Sequence, residues 1–166
     1  MNKTIVRIFV ILAICILVAL GLYFTFKSLN IGTGNLPENV NYNTVELNLQ
    51  NKGLTSLSSE IGKLTKLTTF DVSHNSLTGA LPAEIGKFTK LEILDASDNN
   101  LTGIPAEIGR LTNLQAVDFS NNGITDYPME IYNLTQLKTL DLTNNPISQE
   151  RIDILKEKLP NTTILF

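Results

Sequence analysis

Any chemistry in this 166-residue chain has to come from one histidine, one cysteine, sixteen carboxylates and scattered hydroxyls. Cys15 stands inside an apolar stretch, so no disulfide can form within the chain and no cysteine zinc site can be assembled. His74 has a carboxylate, Asp98, at an equivalent place further along the chain. A Ser–His–Asp arrangement would need a nucleophile on the other side of the imidazole. The equivalent upstream residue is Asn51, which is no nucleophile, so an exposed histidine is the better reading. The sequence has no glycine-rich phosphate loop, no acid pair of a defined pocket and no cluster of metal ligands. It reads as non-catalytic, with no cofactor and no small-molecule substrate.

What does recur is a row of acids. Asp71, Asp95, Asp118 and Asp141 each stand between two apolar residues, and Asn48 takes that place in an earlier copy. Two residues onward come Gln50, Ser73, Ser97, Ser120 and Thr143, and two residues before come Glu46, Thr69, Ile93, Ala116 and Thr139. If these stretches are adjacent strands, about 4.8 Å apart, the carboxylates line up on one face. Such a row would suit a cation or a docking strip for a basic partner. Calcium wants six to eight converging oxygens, and a flat row does not converge, so no metal is expected. The plain alternative is repeat consensus, with the hydroxyls donating to the acids. The low-aromatic face lends that alternative some weight, because binding hot spots are enriched in aromatics and arginine.

The elements that would position the row follow from internal repetition. Leu67, Phe70, Val72, Asn75 and Leu77 align with Leu91, Leu94, Ala96, Asn99 and Leu101. The same spacing returns in Leu114, Val117, Phe119, Asn122 and Ile124, and in Leu137, Leu140, Leu142, Asn145 and Ile147. Each set fits LxxLxLxxNxL, with starts 24, 23 and 23 residues apart. An earlier copy, Thr44, Leu47, Leu49, Lys52 and Leu54, has lysine in the asparagine position and is expected to be less regular at that corner. Alternation sends the paired apolar residues to one face of a strand, and stacked copies must bury that face together. Leu81-Pro82 with Ile85 and Phe88, Ile104-Pro105 with Ile108 and Leu111, and Tyr127-Pro128 with Ile131 and Leu134 predict short helical turns opposite the strands.

From about Val40 to Phe166 the chain resembles the leucine-rich-repeat family. The resemblance implies an α/β fold: a right-handed solenoid with a concave parallel sheet and short convex helices. Leu77-Thr78-Gly79-Ala80-Leu81-Pro82 looks like the plant-type variant of the repeat. Five repeats are expected over residues 44–147, with strand centres near 47, 71, 95, 118 and 141. A C-terminal cap is expected over 148–166: a helix begun by Ser148, stopped by Pro160, then a closing strand. This cap looks like those of bacterial leucine-rich-repeat proteins, and the chain reads as complete. Animal and plant extracellular members close their ends with disulfides, which this chain cannot make, so a bacterial envelope protein is the expectation.

Ahead of the repeats, Ile8 to Phe26 is a run of nineteen residues without a charge. As a helix it spans roughly 28 Å, enough for a bilayer core. Lys3 and Arg7 precede it and only Lys27 follows closely, which predicts a single-pass anchor over residues 1–27 with a cytoplasmic N-terminus and extracytoplasmic repeats. A cleaved signal peptide ending near Leu20-Gly21 is the competing reading, and it would make the protein secreted. Residues 28–43 read as a linker and N-terminal cap. Thirteen Lys/Arg less those three leaves ten against sixteen Asp/Glu, so the rest of the chain carries about −6 and is unsuited to nucleic acid. The expected function is a membrane-anchored protein–protein interaction module. Its candidate partner-binding residues are Glu46, Asn48, Thr69, Asp71, Ile93, Asp95, Ala116, Asp118, Thr139 and Asp141. The alternative is a structural or secreted envelope element without a dedicated partner.

Overall fold

A computed structural model describes residues 41–166. Each coil opens with a three-residue strand: β1 (Glu46–Asn48), β2 (Thr69–Asp71), β4 (Ile93–Asp95), β6 (Ala116–Asp118) and β7 (Thr139–Asp141), with β8 (Thr163–Leu165) at the far edge. All six pair in parallel in the order β1-β2-β4-β6-β7-β8. The strand centres match the expected positions to within one residue. Hydrogen bonding continues just past each strand, as in Leu49 N–H to Asp71 O at 2.7 Å and Ala96 N–H to Asp118 O at 2.8 Å. A register slip would turn the leucines outward, so the alternation fixes the pairing.

The core is one continuous column. Leu94, Val117, Phe119 and Leu140 are buried, as the alternation predicts, and Phe70 meets Phe88 edge-on at 5.7 Å between ring centres. Opposite the strands lie four short 3-10 helices, Ser59–Lys63, Ala83–Lys87, Ala106–Arg110 and Met129–Asn133. Pro82, Pro105 and Pro128 stand immediately before the last three, where a missing N–H costs nothing. Before the first, Ser58 replaces proline and accepts from Glu60 N. That first helix escapes a search keyed on proline. Stacking is tight on this side. A Cβ on Gly62 or Gly86 would come within 2.8 or 2.9 Å of the next coil's glutamate Cβ, and one on Gly109 within 2.4 Å of Glu130 O. The fourth helix has no such glycine but Tyr132, and it is the last of the four.

The longer coil, whose phrase looks plant-like, adds a second sheet: β3 (Thr78–Gly79) pairs with β5 (Asn100–Leu101). Gly79 adopts φ +71°, a conformation side chains rarely accept. At the C-terminus α1 (Gln149–Lys158) starts where Ser148 accepts from Arg151 N, and it buries Ile152 and Leu155. Arg151 fastens this helix to the last coil. Its Nε donates to Asp126 at 2.6 Å, its NH2 to Tyr127 O at 2.9 Å, and its guanidinium lies 4.2 Å from the Tyr127 ring centre. The Tyr127 hydroxyl donates back to Arg151 O at 2.5 Å.

Among the described residues no helix is long and apolar enough to cross a membrane. The apolar run over 8–26 and its two readings, anchor and cleaved signal, lie outside the described residues, as does residues 28–40 of the linker.

Candidate functional site

The sheet face is built by the rims of the coils. At each rim the residue before the asparagine position takes a left-handed conformation: Asn51, His74, Asp98, Asn121 and Asn144 have φ between 52° and 59°. Asn and Asp tolerate this better than most residues. The asparagines then stitch one coil to the next. Asn99 Nδ2 donates to Val72 O, Ala96 O and Ser97 O, while its Oδ1 accepts from Leu77 N at 3.0 Å. Asn75, Asn122 and Asn145 repeat the pattern. Each asparagine therefore closes the corner of the coil before it as well as its own. At the first coil, where Lys52 cannot close its own corner, Asn75 Oδ1 accepts from both Lys52 N and Leu54 N at 3.0 Å. The corner is nonetheless less regular, as expected: Gly53 takes φ +66°, whereas its counterparts Ser76, Asn100, Gly123 and Pro146 stay out of the left-handed region.

Strand register places Asn48, Asp71, Asp95, Asp118 and Asp141 side by side, and Glu46, Thr69, Ile93, Ala116 and Thr139 beside one another in a second row. The two rows differ in exposure. The second is half-buried throughout, open to contact. In the acid row Asp118 and Asn48 are half-buried, but Asp71, Asp95 and Asp141 retain only 3%, 9% and 4% exposure. Their burial has a local cause. Oδ1 of each aspartate accepts from the backbone N–H two residues on, at 2.9 Å for Ser73, 3.0 Å for Ser97, 2.8 Å for Ser120 and 2.8 Å for Thr143. The Ser73 and Ser97 hydroxyls add a bond of 2.7 Å each. These are Asx turns, which end the strand and start the rim. An Asp-x-Ser spacing is their sequence signal, and reading it only as a carboxylate–hydroxyl contact missed the backbone half.

Asn48 makes the same turn through Gln50 N and donates Nδ2 to Asp71 Oδ2 at 3.3 Å. Asp95 has no amide beside it in the row. Burial pushes its carboxyl up to about 7, the Asp118 charge adds to the rise, Ser97 opposes it, and Asp71 raises it further. His74 Nδ1 lies 3.4 Å from Asp98 Oδ2 on the exposed rim, with Asn51 as the row's upstream member. No group of three or more His, Cys, Asp or Glu side chains among the described residues is placed to hold a metal ion.

A family model described as a leucine-rich repeat region matches residues 46–149. Among solved structures, a leucine-rich-repeat protein of Leptospira interrogans is 32% identical with a TM-score of 0.64, over 75% of this chain and 38% of that one. The ectodomain of the receptor kinase SOBIR1 from Arabidopsis thaliana is 28% identical with a TM-score of 0.58, over 72% and 66%. The plant peptide hormone receptor RGFR1, solved in complex with RGF2, is 33% identical with a TM-score of 0.62, over 73% and 20%. The chain thus spans well under half the length of the Leptospira protein and a fifth of the hormone receptor. No curated protein matches it by sequence.

Proposed function

The chain belongs to the leucine-rich-repeat family, and on that premise we propose that it is a non-catalytic, membrane-tethered module that captures a protein or peptide partner on its sheet face. One observation carries the reading. Five parallel strands in strict register present a half-open row, Glu46, Thr69, Ile93, Ala116 and Thr139, flush against a row of carboxylates. An extended, rigid surface of this kind suits recognition of a chain or a convex domain. RGFR1, a plant peptide hormone receptor solved in complex with RGF2, is a structural neighbour. The charge of about −6 outside the first 27 residues favours a basic partner. The charge bias around residues 8–26 supports a cytoplasmic N-terminus with the repeats outside.

A second reading has its own observation. The face offers neither aromatic nor arginine, the usual anchors of a hot spot, and this favours an envelope element without a dedicated partner, secreted if the leader is cleaved. Proximity labelling on the intact protein in its own membrane separates the two. Thr69→Lys with Ala116→Lys puts charge and bulk on the open row while leaving the core leucines alone. Under the proposal these substitutions abolish labelling of a partner that the native protein labels. Identical labelling patterns would overturn it. Mass spectrometry of the mature N-terminus, with protease accessibility in spheroplasts, tests the tether, and a new N-terminus near Leu22 would refute it.

A further inference from the structure

Asn122-Gly123 is the single Asn-Gly pair in the sequence, and it falls on the asparagine ladder. In such a pair the backbone nitrogen of glycine is the least hindered nucleophile a chain offers to the preceding carboxamide. Attack on Asn122 Cγ forms the N–C bond of a five-membered succinimide and breaks the bond to Nδ2. That nitrogen leaves as ammonia, carrying the proton of the glycine N–H. Water then opens the ring at either carbonyl, giving aspartate or isoaspartate.

Both reacting groups are engaged in the folded coil. Gly123 N–H donates to Leu101 O at 2.8 Å. Asn122 Nδ2 donates to Ala96 O at 3.0 Å, Phe119 O at 3.0 Å and Ser120 O at 3.2 Å, and Oδ1 accepts from Leu101 N at 2.9 Å. Reaction requires the nitrogen to let go of Leu101 and the carboxamide to leave three carbonyls. The product cannot return to the same place. A carboxylate at 122 would face those three carbonyl oxygens with no hydrogen to share, and isoaspartate would add a methylene to the main chain at the coil's corner. The backbone does not demand the glycine. Gly123 has no positive φ, and a Cβ there would meet only Leu101 O at 3.4 Å and the Thr102 methyl at 3.9 Å.

We propose that Asn122-Gly123 is a deamidation site held closed by the folded solenoid, so that a coil which opens is converted irreversibly into one that cannot be stitched to its neighbours. The test uses the full chain in detergent at mildly alkaline pH, native and in denaturing guanidinium chloride, with the Asn122 peptide followed by mass spectrometry over days. Loss of ammonia from Asn122 should be at least about tenfold slower in the native protein, since reaction must wait on local opening. Gly123→Ala should fold normally and suppress the reaction in denaturant. Chains deamidated while unfolded should refold, after guanidinium is removed, with a lower melting temperature than untreated chains carried through the same cycle. Equal rates in native and denatured protein would overturn the protection, and an unchanged melting temperature of the deamidated chains would overturn the consequence.

Discussion

Replacing Asp95 by Asn should change how the protein's stability depends on pH. In the folded protein the Asp95 carboxyl sits at about 7, against 3.8 for the free group. The raised value means that the folded state holds the proton more tightly than the unfolded chain does. The associated stability is fully present below about pH 3.8 and is lost as pH rises through about 7. A difference of about three pKa units at about 1.36 kcal/mol each sets a ceiling on the order of 4 kcal/mol across that window. Asn retains the Oδ1 acceptor that Ser97 uses and gains an amide that can donate along the row, as Asn48 Nδ2 already does to Asp71 Oδ2. Urea denaturation of both proteins at pH 5, 7 and 8.5 checks this. The native protein should lose on the order of 2 kcal/mol between pH 5 and 7 and little more by pH 8.5, because the loss is complete once the pH has passed the folded-state value of about 7. Asp95→Asn should lose much less and be the more stable of the two at pH 8.5. A native protein as stable at pH 8.5 as at pH 5, or a variant weaker than it at pH 8.5, would refute the reasoning.

Gly109→Ala should destabilise by about 1–3 kcal/mol in chemical denaturation, because its Cβ would lie 2.4 Å from the Glu130 carbonyl oxygen and backbone has to move. Asn99→Ala should cost on the order of 3 kcal/mol by the same measurement: it strands Leu77 N and takes the shared donor from three carbonyls. Arg151→Ala should lower the melting temperature by about 1–2 kcal/mol worth of stability and speed amide exchange in α1 above all, since it removes the contacts to Asp126, Tyr127 O and the Tyr127 ring. For any basic partner, stopped-flow association should slow steeply with salt while dissociation hardly changes, because the acid row acts through its field more than through contact.

Much of this architecture was legible because its cause is periodic. The LxL alternation names the buried residues, and repetition at 23 or 24 residues forces the strands side by side, so the row partners of Asp95 can be written down before any coordinates. Ser148 and Pro160 likewise bracket the cap helix by capping chemistry that is local to the sequence. What escaped depends on contacts between coils. At Lys52 the sequence names the irregular corner but not its repair, in which Asn75 Oδ1 reaches back to two backbone N–H groups of the preceding coil and Gly53 takes a positive φ. The helix at Ser59–Lys63 was hidden because serine did the work of proline. Tyr132 in the place of Gly62, Gly86 and Gly109 is a mark of the last helix of its kind, readable once the glycines are known to sit under a neighbour. The exposure of the acids was the largest gap. Alternation says that they point away from the core, but the two-residue hydrogen bond that folds them down against the rim is a turn property, which strand periodicity does not encode.

That gap alters how the sheet face can recognise anything. Side chains that point outward from a strand are ordinarily free to reach a partner, and four aspartates in line would then make four ion pairs. Here each Oδ1 is committed to a backbone N–H of its own chain, and three of the four residues are buried. Withdrawing one to greet a lysine would release an orphaned turn N–H, so the carboxylates are poor contact residues. Their charge is another matter, because a hydrogen bond accepted by Oδ1 removes none of it, although Asp95, pushed up to about 7, carries only part of its charge at neutral pH. The half-open row two residues earlier is built the opposite way, from Glu46, Thr69, Ile93, Ala116 and Thr139, none of which holds a turn. On the proposed reading, steering and contact fall to different rows, two residues apart on the same strands. Substitutions on the open row should reach binding without reaching the fold, while substitutions in the acid row reach the fold first.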